Sequence, residues 1–558
     1  MKDRTVLLWI AKRSVKRLPM LLGMIIADVA KALGAVWFAL SSRTVIDTAI
    51  AAAGTGEKAA FFLACIKQFA IISIILLSGA AARYFSDRLN VDLDRDRKQQ
   101  IFGSLLRADY EKTARFHSGE LINRLNNDVR QLNTGVVGIL PNLVSMIVRL
   151  GAAGWVMVTI APKLVLLISI IGVIVLAGTG FLRRLLKERH LAISKAEGKV
   201  LSILQETLER LLVVQSMNLG KEVEKRAVRL LEERSQAHNR RRRLSVPAHT
   251  AISTVFHFSK FAAMFWCGLG LMNGSMTFGT LTAVLQLISQ LQTPMVGLSG
   301  VLPKYTAMCA AAERLMELEQ LEDANAAADR KKEFAGLTGM IVGENLSFAY
   351  DEDELVLDGA SFNIPLGKFT VITGASGIGK STILKLLLEV YRPSSGRLFI
   401  EENGEQIPLS QFKRGLFAYV PQGNLLFSGT VRENILLANP DASDEDLERA
   451  IYISAMDAFL NQLPQGLDTA LGENGEGLSE GQAQRLAIAR AIISGAPVLL
   501  LDEATSAMDG QTERTVLARL AELPGCTCIA VTHRLAALDT ADQHLEVRDH
   551  QVYDRRCR

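Results

Sequence analysis

Six long apolar stretches fill much of the first 303 residues and restrict what the chain can fold into. A helix needs ~20 mostly apolar residues to cross the hydrocarbon core of a bilayer. The stretches lie at 18–40, 60–82, 136–160, 164–182, 251–272 and 278–302. Soluble cores seldom repeat apolar segments of this length. The sequence therefore predicts an all-α polytopic membrane domain of six long helices.

The composition excludes several other classes of protein. Of 558 residues, 49% are hydrophobic and 22% are charged, which excludes intrinsic disorder. A net charge of +4 does not suggest a nucleic-acid partner. Six scattered cysteines are too few for a disulfide scaffold. The closest pair, Cys526 and Cys528, is interpreted as buried free thiols rather than as a metal site.

Basic residues between the apolar stretches predict the orientation in the membrane. The two long connections, after the second and the fourth stretch, are rich in Lys and Arg, and the later one contains the run 240–243 of four arginines. The positive-inside rule then places these connections and both termini in the cytoplasm, with the run close to anionic lipid. Asp28 and Lys31 interrupt the first stretch, so we interpret it as a membrane helix and not as a signal peptide.

After about Gly336 the pattern changes to short strands, glycine turns and amphipathic helices. A buried strand at 369–373 leads into 374–381, GASGIGKS, and then into an apolar helix from Thr382. This is the phosphate-binding loop G-x-x-x-x-G-K-[ST] in its strand–loop–helix context. Its glycines let backbone N–H groups surround phosphates, Lys380 reaches the β- and γ-phosphates, and the Ser381 hydroxyl is suited to Mg²⁺.

A second apolar strand supplies the carboxylates that such a site needs. The run 498–502 ends in Asp502, which is followed by Glu503. An aspartate delivered by a strand completes a P-loop magnesium site. Glu503 then lies where a carboxylate polarises the attacking water as a general base.

The segment 478–482, Leu-Ser-Glu-Gly-Gln, resembles the Leu-Ser-Gly-Gly-Gln signature of ATP-binding-cassette (ABC) transporters. Together with the motifs above, in the same order, the whole chain resembles an exporter half-transporter. The resemblance implies a six-helix membrane domain, with helices exchanged between the chains of a dimer, followed by an α/β P-loop ATPase domain. It also implies ATP and Mg²⁺ as cofactors and a second half-transporter as partner, a homodimer being favoured over a heterodimer.

The family pattern assigns roles to residues by position. Tyr350 matches the aromatic residue that stacks on adenine, Gln422 the glutamine that touches Mg²⁺, and His533 the histidine that contacts the γ-phosphate; Asp509 lies in the D-loop. The implied catalytic residues are Lys380, Gln422, Glu503 and His533. The implied nucleotide-binding residues are Tyr350, Gly374, Ser376, Gly377, Gly379, Lys380, Ser381, Thr382, Gln422, Ser479, Gly481, Gln482, Asp502 and Asp509, with Ser381, Gln422 and Asp502 holding the metal.

Two further segments resemble the coupling segments of exporters, and two positions depart from the family. The segments 116–128 and 211–216 are expected to dock on the ATPase domains. Glu480 replaces a glycine of the signature, and Met508 stands where leucine is common. Because Gly481, Glu503 and His533 are retained, we expect a competent site.

These observations predict a membrane domain at 1–320, a linker at 321–336 and an ATPase domain at 337–558. The predicted function is ATP-driven export or outward flipping of an amphiphile, lipid or peptide across the cytoplasmic membrane by alternating access. Two alternatives are an ABC protein that uses ATP for gating or signalling, and a soluble ABC ATPase of DNA maintenance. The apolar stretches, and the roughly 100 residues between phosphate loop and signature, disfavour the second alternative.

Three ionisable residues within the apolar stretches bear on the substrate. Arg149, His257 and Lys260 are positively charged or become so on protonation. Such residues are functional candidates by default, and their sign suits an acidic substrate. The favoured alternative is that they reach the membrane surface or pair with groups such as Asp28.

Overall fold

The computed structural model describes residues 2–56, 58–321, 333–334, 336–350, 355–412, 415–423, 426–472, 475 and 477–555. Most of the predicted linker, 322–332 and 335, lies outside the described residues. The chain forms two compact units. The first comprises Met1–Gly103 and Ser118–Glu319, and the second comprises Ser104–His117 and Gln320–Arg558.

Helices account for almost all of the N-terminal 320 residues. They are α1 (Lys2–Ser14), α2 (Leu18–Thr55), α3 (Ala59–Leu106), α4 (Tyr110–Thr113), α5 (Ser118–Asn123), α6 (Val129–Ile160), α7 (Pro162–Glu209), α8 (Leu211–Ser216), α9 (Gly220–Met272) and α10 (Phe278–Gln320). Each of the six predicted apolar stretches lies inside one long helix: α2, α3, α6, α7, α9 or α10. The helical membrane architecture is therefore the predicted one.

Among the described residues, four helical segments are long and apolar enough to cross a membrane. They are Arg4–Gly54, Ala59–Leu106, Ser118–Ile160 and Gly220–Met272. They contain the first, second, third and fifth predicted stretches. That α7 and α10 also cross the membrane remains a prediction. In α7, the side chains at 166–187 are outside the described set.

The first unit is packed through small residues on neighbouring helices. Ala39 of α2, Ala153 of α6 and Ala263 of α9 are fully buried in one cluster with Met157 and Leu287. Small side chains let helix backbones approach closely. Such close packing is one way helices associate in a bilayer, where the hydrophobic effect does not drive one helix against another. Ala161 alone connects α6 to α7. Pro162 starts α7, a position where the missing N–H of proline costs no hydrogen bond.

Ion pairs hold the N-terminal helix region to the rest of the first unit. Arg17 lies 2.9 Å from Asp92 and 2.6 Å from Asp96, both on α3. On the same side, Arg13 pairs with Glu319 near the end of α10. The basic segment that precedes the first apolar stretch is therefore an integral part of this unit.

Two sheets form the scaffold of the second unit. Its strands are β1 (Met340–Ala349), β2 (Leu355–Pro365), β3 (Phe369–Gly374), β4 (Ser395–Glu402), β5 (Glu405–Pro408), β6 (Phe417–Val420), β7 (Gly429–Thr430), β8 (Ala470–Leu471), β9 (Val498–Asp502), β10 (Thr527–Val531), β11 (Gln543–Arg548) and β12 (Gln551–Arg555). The six-stranded sheet has the order β12-β11-β3-β10-β9-β6, and an antiparallel sheet has the order β2-β1-β4-β5. β7 and β8 form a separate pair.

The register of the parallel strands places the ends of two sequence motifs side by side. β10 pairs with both β3 and β9 in parallel, and Val531 is opposite Ile372 on one side and Asp502 on the other. In such sheets ligands bind beyond the carboxyl ends of the strands. The loops that follow β3, β9 and β10 therefore meet at one edge.

Helices cover the sheets and complete the unit. They are α11 (Lys380–Leu387), α12 (Val431–Leu436), α13 (Asp444–Ile453), α14 (Asp457–Leu460), α15 (Glu480–Ile493), α16 (Gly510–Ala521) and α17 (Leu535–Thr540). α11 and α15 matter most for the site because each begins within a motif. The α/β fold predicted for the C-terminal part is thus the fold observed.

One piece of the N-terminal region belongs to the second unit. Residues 104–117 contain α4, which Asp109 caps by accepting a hydrogen bond from the Glu111 N–H at 3.1 Å. The Asp109 N–H donates to the Leu321 carbonyl at 3.1 Å. A cavity of about 1220 Å³ lies between this piece and residues 386–417. Most of the predicted coupling segment 116–128, from Ser118 onward, lies in the first unit instead.

Candidate nucleotide-binding site

The loop between β3 and α11 has a backbone that only glycine accommodates at two positions. Gly379 has φ +108°, and a Cβ there would lie 2.6 Å from Val356 Cγ1. Gly374 has φ +149°, and its Cβ would lie 2.5 Å from the Val547 carbonyl oxygen. Residues 375–377, which include Ser376 and Gly377, are exposed. The loop thus presents its backbone to an incoming anion in front of α11.

Lys380, the first residue of α11, is held inside this loop. Lys380 is only 6% exposed, and its Nζ donates to the carbonyls of Gly374 at 3.0 Å and Ala375 at 2.8 Å. Burial lowers the pKa of Lys380, while the carboxylates of Glu503 and Asp502 oppose that shift. The two hydrogen bonds therefore hold Nζ of Lys380 inside the phosphate loop.

Asp502 connects the phosphate loop to the end of β9. Ser381 Oγ donates to one oxygen of the Asp502 carboxylate at 2.9 Å, and the Tyr419 hydroxyl donates to the other at 3.0 Å. Sequence reasoning missed Tyr419. Its position follows from the pairing of β6 with β9, which puts Val420 opposite Leu501, and no motif in the sequence signals that pairing.

Glu503 adopts a backbone conformation that is rare for residues other than glycine. Its φ is +50°, in the left-handed region, and its N–H donates to the Val531 carbonyl at 2.9 Å. Gln422 Nε2 donates to one carboxylate oxygen at 2.8 Å, and His533 Nε2 lies 3.5 Å from the other. Strain of this kind persists where surrounding structure enforces it, commonly at functional sites. The predicted catalytic residues are thus brought together.

Tyr350 lies beside the first turn of α11, where the phosphate loop ends. It is 41% exposed, and its hydroxyl is 3.1 Å from Thr382 Oγ1 in the first turn of α11. An exposed ring next to the loop is placed to receive a flat base. The structure therefore joins Tyr350 to the same site as Lys380 and Ser381.

The signature residues form the start of α15. Ser479 Oγ accepts from the Gln482 N–H at 3.3 Å, and the Gln482 side chain accepts from the Ser479 N–H at 2.9 Å, a capping box. A Cβ on Gly481 would lie 2.7 Å from the Ala507 carbonyl oxygen, so this glycine permits a close backbone approach. Where the structure describes their surroundings, the side chains of Ser479 and Gln482 bond within their own turn.

The D-loop lies between the signature helix and the loop that carries His533. Gln484 of α15 donates to Ser506 Oγ and accepts from the Ala507 N–H, both at 3.1 Å. Asp509 ends the loop and caps α16, where hydrogen bonds from backbone N–H groups lower its carboxyl pKa.

Arg534 holds the D-loop from the other side. It donates to the Met508 carbonyl at 2.8 Å and to the Ser506 carbonyl, and it pairs at 2.8 Å with Glu513, which is 2% exposed. Sequence reasoning missed Gln484, Arg534 and Glu513. The one available signal was a polar Gln484 on an otherwise apolar buried face of α15.

Comparisons with known proteins agree with this geometry. A family model described as ABC transporter matches residues 357–506, and one described as ABC transporter transmembrane region matches residues 20–295. An ATP-dependent lipid A-core flippase of Photobacterium profundum is 30% identical over 550 residues, which are 95% of this chain and 91% of the flippase. The chain belongs to the ABC transporter family.

Two further matches extend the comparison. The mitochondrial iron-sulfur clusters transporter ATM1 of Yarrowia lipolytica is 36% identical to this transporter over 291 residues. These residues are 52% of this chain and 41% of ATM1. A solved bacterial Atm1-family ABC exporter with ATP bound superimposes with a TM-score of 0.81 at 24% identity, covering 97% and 95% of the two chains. The transporter therefore has the exporter fold. The family models and the match to the flippase show that the transporter binds and hydrolyses ATP and drives export with it.

Proposed function

We propose that this transporter works as a dimer, most simply of two identical chains, and exports or flips an amphiphilic substrate by alternating access. Each chain carries one phosphate loop and one signature. Two chains supply two of each, which is what two ATP sites at a shared interface require. ATP binding then favours one arrangement of the membrane helices, and hydrolysis restores the other.

The phosphate-loop residues bind the triphosphate in this proposal. Gly374, Ser376, Gly377 and Gly379 present backbone N–H groups to it, and Lys380 neutralises its charge. Thr382 continues this first turn of α11, and Tyr350 stacks on the adenine. The support is the closed loop around Lys380 and the short distance between Tyr350 and Thr382.

The side chains near β9 fit Mg²⁺. Ser381, Gln422 and Asp502 offer oxygen atoms, the ligands that this ion prefers, and Mg²⁺ bound with nucleotide commonly takes only one or two carboxylates from the protein. Ser381 and Asp502 are already in contact at 2.9 Å. The ion neutralises phosphate charge when bound.

Glu503 is the general base. The observation that carries the proposal is its carboxylate, which contacts both Gln422 and His533 and is held on a backbone in the left-handed region. It accepts a proton from the water that attacks the γ-phosphate. Gln422 and His533 keep the carboxylate in place, and His533, with 47% of its side chain exposed, remains able to reach the γ-phosphate.

The signature residues act on ATP held by the partner chain. The residues concerned lie at the starts of α15 and α16: Ser479, Gly481, Gln482 and Asp509. Among the described residues, the side chains of Ser479, Gln482 and Asp509 bond within their own turns. The N-terminus of a helix attracts anions, so α15 supplies a second positive pole to the triphosphate. Each ATP site is therefore shared by two chains.

The membrane part comprises residues 1–320, with six crossings, and is joined by the linker 321–336 to the ATPase domain 337–558. Both termini lie in the cytoplasm, and the cell membrane is the site of action. The support is the basic character of the long connections and the six long helices that contain the apolar stretches.

The substrate is an amphiphile, with a lipid favoured over a peptide. The flippase of Photobacterium profundum is named for lipid A-core. Asp28, Lys31 and Arg149 lie close enough for their charges to interact. His257, which is exposed, and Lys260, which is half-buried, lie further along the chain on α9. A role for these cations in binding an acidic substrate stays a prediction.

Inverted vesicles test export directly. Vesicles that contain the full-length transporter are supplied with ATP and with fluorescent lipid, peptide or drug-like probes. We expect ATP-dependent accumulation or outward flipping of at least one lipid probe, and none with Glu503→Gln. Gated ion flux without accumulation of any probe would contradict export and favour the gating alternative.

A further inference from the structure

Four aromatic rings form a continuous cluster in the second unit. The centroids of Tyr350 and Tyr391 are 5.3 Å apart at an interplanar angle of 88°. Phe348, which is buried in β1, lies 5.0 Å from Tyr350 and 5.6 Å from Tyr391. Near-perpendicular rings at 4.5–7 Å attract each other because a positive ring edge meets a negative ring face. The cluster therefore makes the orientation of the Tyr350 ring depend on its aromatic neighbours.

The fourth ring comes from the piece of chain that precedes the membrane helix α6. Tyr110 is the first residue of α4, and its centroid is 6.1 Å from that of Tyr391 at 85°. Tyr110 is 54% exposed, so this contact is not the by-product of a closely packed core. α4 follows the long helix α3 in the chain after residues 107–109. Tyr391 thus stands between Tyr350 and residues 104–117.

Tyr350 has further contacts that tie it to the phosphate-loop helix. Its hydroxyl lies 3.1 Å from Thr382 Oγ1, and the Lys385 ammonium lies 5.7 Å from its ring centroid. Burial raises the pKa of Tyr391, so its ring stays a neutral phenol at physiological pH. The orientation of Tyr350 is therefore set jointly by α11 and by Tyr391.

We propose that Tyr391 is a positioning residue that couples the adenine contact of Tyr350 to residues 104–117 through Tyr110. This rests on the proposed stacking of adenine on Tyr350. A base that stacks on Tyr350 fixes the plane of that ring and favours one arrangement of the perpendicular pairs. Coupling free energies are reciprocal, so a change at Tyr110 alters the affinity for the base.

A ligand without a base distinguishes this coupling from a general structural role of the aromatic cluster. Tripolyphosphate occupies the phosphate loop without touching Tyr350. Weakening the aromatic cluster then lowers affinity for ATP and leaves affinity for tripolyphosphate unchanged. Damage to the fold or to the phosphate loop lowers both.

Calorimetry on the full-length transporter in nanodiscs tests the coupling, in a Glu503→Gln background that limits ATP consumption. Dissociation constants for ATP and for inorganic tripolyphosphate are measured with Mg²⁺. For Tyr110→Ala and Tyr391→Ala we expect ATP to bind about fivefold more weakly or worse, with tripolyphosphate unchanged. Tyr391→Phe keeps the ring and is expected to behave as the parent. Tyr553→Ala, an exposed tyrosine on β12, is the matched control.

The remaining outcomes separate the two levels of the proposal. If Tyr350→Ala changes the ratio of the two constants but Tyr110→Ala does not, the coupling is wrong and the adenine contact stands. If Tyr350→Ala leaves the ratio unchanged, the adenine contact is wrong and the coupling falls with it. Hydrogen exchange gives a second readout: ATP should protect residues 104–117 more than tripolyphosphate does, and Tyr391→Ala should abolish the difference.

Discussion

The two halves of the ATP site differ in how much of their environment one chain provides. The phosphate-loop half is a connected set in which Ser381 bonds Asp502 and both Gln422 and His533 approach Glu503. In the signature half, the side chains of Ser479 and Gln482 find their hydrogen-bond partners, within the described part of the chain, in their own turn. In the proposed dimer, one chain therefore prepares hydrolysis and a second chain completes the site.

The largest expected effect comes from the general base in the phosphate-loop half. Glu503→Gln keeps the shape and the Gln422 contact but removes the proton acceptor. We expect turnover to fall by ~10²–10⁴-fold while ATP remains bound. Phosphate release in nanodiscs measures the first effect and calorimetry the second. Glu522→Gln, an exposed carboxylate on the surface, is the control, and full turnover in Glu503→Gln would remove Glu503 as the base.

Two glycine substitutions separate the halves most clearly. Gly379→Ala forces a Cβ against Val356 at a positive φ, so we expect ATP affinity to fall by ~10–100-fold. Gly481→Ala sets a Cβ against the Ala507 carbonyl. It should leave ATP binding to the chain intact and slow turnover. Gly510→Ala has open space and is the control; equal loss of ATP binding in both variants would erase the distinction.

Arg534 lies between the halves and is expected to have an intermediate effect. Arg534→Ala leaves the buried Glu513 carboxylate with Thr505 as its remaining partner and frees two D-loop carbonyls. We expect a loss of about 1–3 kcal/mol in stability and a lower kcat. Thermal unfolding and ATPase assays measure the two effects. Arg514→Ala, exposed on α16, should do neither; an unchanged kcat in Arg534→Ala would show that the D-loop needs no such support.

The smallest expected effect concerns the departure from the family signature. Glu480 is the first residue of α15 and places a carboxylate where the partner's triphosphate is expected. Glu480→Gln and Glu480→Gly should each lower the ATP KM by about two- to fivefold, because they remove a negative charge that repels the triphosphate. A charge near a helix N-terminus changes the interaction free energy by ~0.3–1 kcal/mol. An unchanged KM in Glu480→Gln would mean that this carboxylate points away from the nucleotide.

The sequence predicted the phosphate-loop half well because local motifs encode it. The run 374–381 needs its glycines for backbone reasons that hold in any P-loop, and Asp502 ends a strand whose burial is evident from its apolar residues. The helical membrane domain was equally predictable, since long apolar stretches have few other solutions.

Contacts made by distant pairing were not predictable from local pattern. Tyr419 reaches Asp502 because β6 is the neighbour of β9. Arg534 reaches Glu513 because the end of β10 lies near the start of α16. The piece of chain that joins the second unit, 104–117, precedes most of the segment that the family pattern indicated. Strand order and helix length decide such contacts, and neither is written in a motif.

The most direct test of a shared ATP site counts occluded ATP in mixed dimers. All chains carry Glu503→Gln. In the trans dimer, one chain has Lys380→Ala and the other Gly481→Asp. In the cis dimer, one chain has both changes and its partner has neither. The two dimers carry the same set of substitutions, but only the trans dimer retains one site with an intact phosphate loop and an intact signature. We predict one occluded ATP per trans dimer and none per cis dimer; equal occupancy in the two dimers would contradict the shared site.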